Sequence, residues 1–211
     1  LLGVMMTLLV SRILSRTILK GLPSSFTLEL PPYRKPQVGK IIIRSLYDRT
    51  LFVLARAAVV AAPAGMITWL FANVHWGELS ILQHGANLLN PFGHLLGLDG
   101  FILMAFLLGL PANEIVLPIL IMSYMSGGHM TELNSLQALR DLLVANGWTW
   151  LTAVCMMLFS LNHFPCATTL LTIKKETQSV KWTLLAFALP TGVGIILCFL
   201  VAQGARLLGM A

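Results

Sequence analysis

The stretch Phe101–Met125, FILMAFLLGLPANEIVLPILIMSYM, carries one charged residue, Glu114, in 25 positions. A run of that length and character is long enough to cross the hydrocarbon core of a bilayer, which takes about 20 apolar residues. Yet Leu110-Pro111-Ala112-Asn113-Glu114 interrupts it, and Pro118 does so again. Proline has no N–H to donate and clashes with the preceding turn. The stretch therefore predicts two arms of about half a bilayer each, joined at a break near Pro111–Glu114, as in a broken or re-entrant helix pair.

The rest of the chain agrees. Of its 211 residues 57% are apolar and 10% charged, against roughly a quarter charged in an ordinary soluble domain. The mean hydropathy is +0.83. So few charges cannot cover a water-soluble globule, which excludes a soluble enzyme, a disordered chain and a nucleic-acid-binding module. The formal net charge of +6 suits loops facing an anionic inner leaflet. The expected fold is an all-α integral membrane protein with about four spanning helices plus the broken pair.

Residues 1–20 read as the end of a transmembrane helix, uncharged to Val10 and then meeting Arg12, Arg16 and Lys20. The chain opens at Leu1 inside this apolar run with no charged segment before it, and reads as the middle or end of a longer polypeptide. Residues 21–48 form a polar, basic connection containing Pro31, Pro32 and Pro36. Residues 49–211 make up the remaining membrane domain. In it, Thr50–Val74 predicts a helix, 77–99 a short interfacial helix with a turn or else a solvated loop, and Trp148–Ile173 and Trp182–Leu208 two further spans. Asn162-His163-Phe164-Pro165-Cys166 interrupts the third of these. Eight of the fourteen basic residues lie between Arg12 and Arg49, which the positive-inside rule places in the cytoplasm. The Lys174-Lys175 loop joins them there only if 101–125 enters and leaves on one side.

Chemistry concentrates at the two breaks. A carboxylate within an apolar stretch costs about 2.5–3.5 kcal/mol on insertion scales, so Glu114 calls for a cavity, a partner or an ion path. It also admits an interface position, a helix-capping role or a pair with Arg56. Carbonyls freed by Pro111 and Pro118 would add oxygen ligands beside it. His163 and Cys166, at i and i+3, would share a helix face, with Pro165 disturbing the backbone between them. Imidazole and thiolate suit late first-row divalent metals rather than Mg²⁺ or Ca²⁺. Two ligands make no closed site, as befits an ion that must be released; one His and one Cys also serve simply as packing residues. The three cysteines (Cys155, Cys166, Cys198) all lie in apolar runs and imply no disulfide framework. No G-x-x-x-x-G-K-[ST] loop occurs, so this chain hydrolyses no nucleotide by that route.

Three segments resemble one family. Phe26-Thr27-Leu28-Glu29-Leu30-Pro31-Pro32-Tyr33-Arg34 is similar to the ELPPYR signature of ferrous iron transport protein B. Leu107–Val116, LLGLPANEIV, resembles that family's second gate motif, and His163-Phe164-Pro165-Cys166-Ala167-Thr168-Thr169 its last cysteine-bearing segment. The resemblance implies a multi-pass Fe²⁺ importer of the bacterial inner membrane. Cys166 would be the iron ligand and Glu114 the gate carboxylate, with Asn113 and His163 beside them on the ion pathway. It further implies partners: the lipid bilayer, an N-terminal GTPase domain and a first gate region without counterparts in this sequence, and room for a homo-oligomer, but no nucleic acid. Fe²⁺ would be cargo rather than a permanent cofactor, and GTP would act only through the other domain. A gate-type carrier for a nucleoside-like solute and a non-transporting membrane scaffold stand as alternatives.

Overall fold

The structure, a computed structural model, describes residues 1–17, 37–125 and 135–209. The Phe26–Arg34 motif, most of the basic connection and residues 126–134 lie outside the described residues, and so does the side chain of Arg56. Two compact units divide the chain. The first, Leu1–Phe52, holds α1 (Leu2–Thr17) and α2 (Val38–Arg44), the latter running on through a π-helical turn at Ser45–Leu51. No residue of α1 is buried.

The second unit, Val53–Ala211, takes up α3 (Phe52–Asn73) and continues through a two-residue β-hairpin, β1 (His75–Trp76) with β2 (Leu79–Ser80). Then come α4 (Ile81–Leu95), α5 (Gly100–Leu108), a 3₁₀ turn at Asn113–Ile115, α6 (Val116–Met125), α7 (Leu136–Ala145), α8 (Trp150–Asn162), α9 (Ala167–Thr177) and α10 (Val180–Leu207). Among the described residues three segments are long and apolar enough to cross a membrane: Val53–Asn73, Trp150–Thr177 and Val180–Leu207. A fourth is the pair α4–α5, bent by 113°, if it counts as one span. Val59, Leu184 and Leu200 are 73%, 62% and 61% exposed, so the outer surface of these helices suits acyl chains rather than water. The fold is that of an all-α membrane protein.

Within 77–99, where the sequence left a choice between helix and loop, Ile81–Leu95 is helical. Ser80 closes a capping box: its hydroxyl accepts from the Gln83 N–H at 3.2 Å while the Gln83 side chain accepts from the Ser80 N–H at 2.9 Å. Leu82 and Ala86 then enter the core at 2% and 1% exposure. Asn90, a polar residue of this stretch, has a partner: its Oδ1 accepts from the Gly100 N–H at 3.1 Å, joining α4 to α5. This crossing is close because it is built of small residues. A Cβ on Gly100 would stand 1.9 Å from the Ala86 carbonyl oxygen.

The hairpin predicted at Pro111–Glu114 is present in outline. α5 and α6 double back, so that Phe101 at the start of one packs its ring 5.7 Å from Tyr124 at the end of the other. Asp99 caps α5, its Oδ1 accepting from the Ile102 N–H at 2.6 Å. Its Oδ2 accepts from the Tyr124 hydroxyl, which in turn accepts from Trp148 Nε1 at 2.8 Å. One carboxylate thus ties three segments together at the open end of the hairpin.

Three expectations follow for the purified protein in detergent. Gly100→Ala should lower stability by about 3 kcal/mol or more, since only backbone can yield. Gly192→Ala, with nothing within 4 Å of its added Cβ, should leave stability unchanged or raise it by about 0.5–1 kcal/mol. Tyr124→Phe strands a carboxylate oxygen and an indole N–H, and should cost about 1–3 kcal/mol. Thermal unfolding followed by size-exclusion chromatography measures all three.

Candidate ion pathway at two helix breaks

Pro111 ends α5 and Pro165 ends α8, and the two breaks meet. The Ala167 N–H, first in α9, donates to the Leu110 carbonyl at 2.8 Å. Here a carbonyl freed from one helix satisfies an N–H orphaned at the start of another. α10 approaches from the other side at Gly194, where a Cβ would stand 3.1 Å from the Asn162 carbonyl oxygen. Despite Pro190, α10 itself continues unbroken from Val180 to Leu207.

His163 and Cys166 do not share a helix face. Pro165 cannot donate to a helix and pushes Phe164 out of the α region. His163 therefore caps the end of α8 with ψ at 176°, and Cys166 caps the start of α9 with ψ at 157°. They flank an extended linker. The His163 ring lies among aromatic rings, its centroid 5.0 Å from that of Phe106 and 5.3 Å from that of Phe164. Its Nδ1 meets the Ser160 carbonyl at 2.8 Å. Its Nε2 is buried without a hydrogen-bond partner, and so is Oδ1 of Asn113 on the opposite break. A buried polar atom left unpaired costs about 1–3 kcal/mol.

Cys166 is half-buried, its Sγ 3.1 Å from the hydroxyls of both Thr168 and Thr169. Those oxygens and the backbone N–H groups of Thr168 and Thr169 surround the sulfur with polar groups. Cys155 and Cys198 differ: both are fully buried, with the Cys198 thiol 3.3 Å from the Cys155 carbonyl. Glu114 is exposed, in the first turn of the 3₁₀ segment leading into α6. A negative charge is favourable near that N-terminus. Among the described residues no three His, Cys, Asp or Glu side chains gather within reach of one metal ion. The structure thus brings the backbones of the two predicted motifs together but closes no metal shell. The ring of Phe106 beside His163 and the contact of Gly194 with the break escaped the sequence reading, which saw neither helix facing the motif.

Comparison with known proteins bears on the same segments. Residues 1–48 match the family described as the C terminus of ferrous iron transport protein B. Residues 54–180 match the gate family, described as nucleoside recognition. The chain is 32% identical over 209 residues to the Fe(2+) transporter FeoB of Staphylococcus aureus (strain COL), covering 96% of this chain and 30% of that protein. It is 27% identical over 226 residues to the FeoB of Leptospira biflexa, covering 99% of this chain and 32% of the relative. Against the FeoB of a Synechocystis species it is 27% identical over 203 residues. The chain thus spans about a third of the length of these curated relatives. No solved structure matches. With both family patterns in order along one polypeptide and the gate pattern covering the helix breaks, the chain belongs to the ferrous iron transport protein B family and corresponds to the C-terminal membrane region of its members.

Proposed function

We propose that this chain forms part of the Fe²⁺ pathway of a bacterial inner-membrane importer, gated by a GTPase domain elsewhere in the protein. The observation that carries the reading is the joining of the two breaks by the Ala167–Leu110 backbone bond, with an unpaired acceptor of Asn113 and an unpaired nitrogen of His163 beside it. Fe²⁺ stands low in the affinity order of divalent metals. A weak, incomplete shell of Cys166 sulfur, His163 nitrogen and amide oxygen would favour it over hard cations and still release it. Exposed Glu114, at the tip of the hairpin, would attract the ion and hand it on.

The gate family's description favours a second reading, a carrier for a nucleoside-like solute. Against it, the cavity beside the break, about 180 Å³, is walled by Phe106, Phe159, Phe164 and Phe187 and offers a sugar or base almost nothing to hydrogen-bond. A non-transporting scaffold would have no use for buried unpaired acceptors at two joined breaks.

The test is uptake of radioactive Fe²⁺ in cells whose only ferrous importer carries this chain. Cys166→Ser and Glu114→Ala, each at normal membrane abundance, should reduce uptake by about tenfold or more, the loss expected when a metal's surroundings are disturbed. N-ethylmaleimide should alkylate Cys166 ahead of the sealed Cys155 and Cys198 and inhibit transport, with Cys166→Ser no longer sensitive. Normal uptake in both variants would sink the assignment. For orientation, a cysteine placed at Thr177 should resist a membrane-impermeant thiol reagent in intact cells; ready labelling would reverse the proposed topology.

A further inference from the structure

Two cavities of opposite chemistry border α4 and α10. One is the Phe-walled groove of about 180 Å³, which also includes Leu89 and Phe92 of α4 and Ile195 of α10. Its rim is open, with Phe92 46% and Leu107 51% exposed. The other, about 320 Å³, lies where α4 and α10 end and is lined by His94, Asp99, Trp148, Thr149, Thr152 and Arg206 among others; both carboxylate oxygens of Asp99 are already engaged, by the Ile102 N–H and the Tyr124 hydroxyl.

Along α10 the two are in register. Ile195, Phe199 and Arg206 follow at spacings of four and seven, which places them on one stripe of a helix. The rise from Ile195 to Arg206 is about 16 Å at 1.5 Å per residue. The surface between is apolar, with Phe199 44% and Leu95 49% exposed. Arg206 donates from one Nη to the His94 carbonyl at the end of α4, and Gln203 donates to the Leu95 carbonyl at 3.0 Å. These bonds hold the guanidinium in place while most of its five N–H donors are left for a ligand in the larger cavity.

We propose that this stripe is a seat for one anionic phospholipid, with an acyl chain in the Phe-walled groove and the phosphate against Arg206. The groove is too small for a helix, which with side chains is about 10 Å across. A hydrocarbon wall in line with a fixed cation in the last turn of a membrane helix matches an amphiphile with a negative head. A peptide or a free anion would satisfy only one of the two cavities. The proposal needs no assumption about the transported ion.

The test is to place the purified protein in nanodiscs of equal parts phosphatidylglycerol and phosphatidylethanolamine, release it into mild detergent, and count retained lipids by native mass spectrometry. One phosphatidylglycerol per chain is expected. Arg206→Gln should lower the retention of phosphatidylglycerol relative to phosphatidylethanolamine about fivefold, the effect of one basic residue on an anionic headgroup. Ile195→Trp should fill the groove and remove both lipids; Leu107→Trp, at the open rim, serves if that variant fails to fold. Equal retention of the two lipids by wild type and Arg206→Gln would overturn the proposal, as would full retention with the groove filled. So would binding of inorganic phosphate with no lipid retained, or a second copy of the chain found in the lipid's place.

Discussion

Backbone hydrogen bonding in hydrocarbon governs this structure. Water cannot rescue an unpaired N–H or carbonyl at membrane depth, so a broken helix survives there only if protein supplies the partner. Pro111 and Pro165 each break a helix. The Leu110 carbonyl released by the first break receives the Ala167 N–H orphaned by the second. Each break makes the other tolerable, and the region of the fold with polar backbone near its centre is the region that carries Asn113, His163 and Cys166. Asn90 and Asp99 serve the same need at the start of α5, where they accept from the Gly100 and Ile102 N–H groups.

Much of this was legible in the sequence because it is written in prolines and apolar run lengths, which act locally. The membrane class, the arms flanking Pro111 and the interruption at Asn162–Cys166 all follow from residues a few positions apart. Long-range partnership was not legible. Asp99, Tyr124 and Trp148 are separated by about two dozen residues at each step, and nothing in their local surroundings announces that they meet. Asn90 helped leave 77–99 open between helix and loop, because its polarity is visible in the sequence and its partner is not. The helical reading of His163 with Cys166 failed for a local reason, since Pro165 extends the backbone through Phe164. Glu114 drew attention as a charge in an apolar run, yet it lies exposed at a hairpin tip rather than in a cavity of this chain.

Small residues decide how closely the helices approach. Gly100 lets α5 cross α4 at backbone contact, and Gly194 lets α10 touch the α8 break. Gly97, at φ +72°, turns the chain between α4 and α5 where a side chain would stand 2.9 Å from the Cys155 sulfur. Without an aqueous hydrophobic effect to press membrane helices together, close packing of this kind supplies much of their association.

The position of the second break has an electrical consequence. α8 has 13 residues and α9 has 11, about 20 Å and 16 Å of helix, so His163–Cys166 falls at the centre of the 28-residue span Trp150–Thr177. An ion resting there has traversed about half of the transmembrane field. For a dication that amounts to one full charge displacement, worth about 2.3 kcal/mol per 100 mV. On the proposed pathway, occupancy at the break would therefore be coupled to the membrane potential, and an energised cell would draw a doubly charged ion to mid-membrane before any domain outside the bilayer acts.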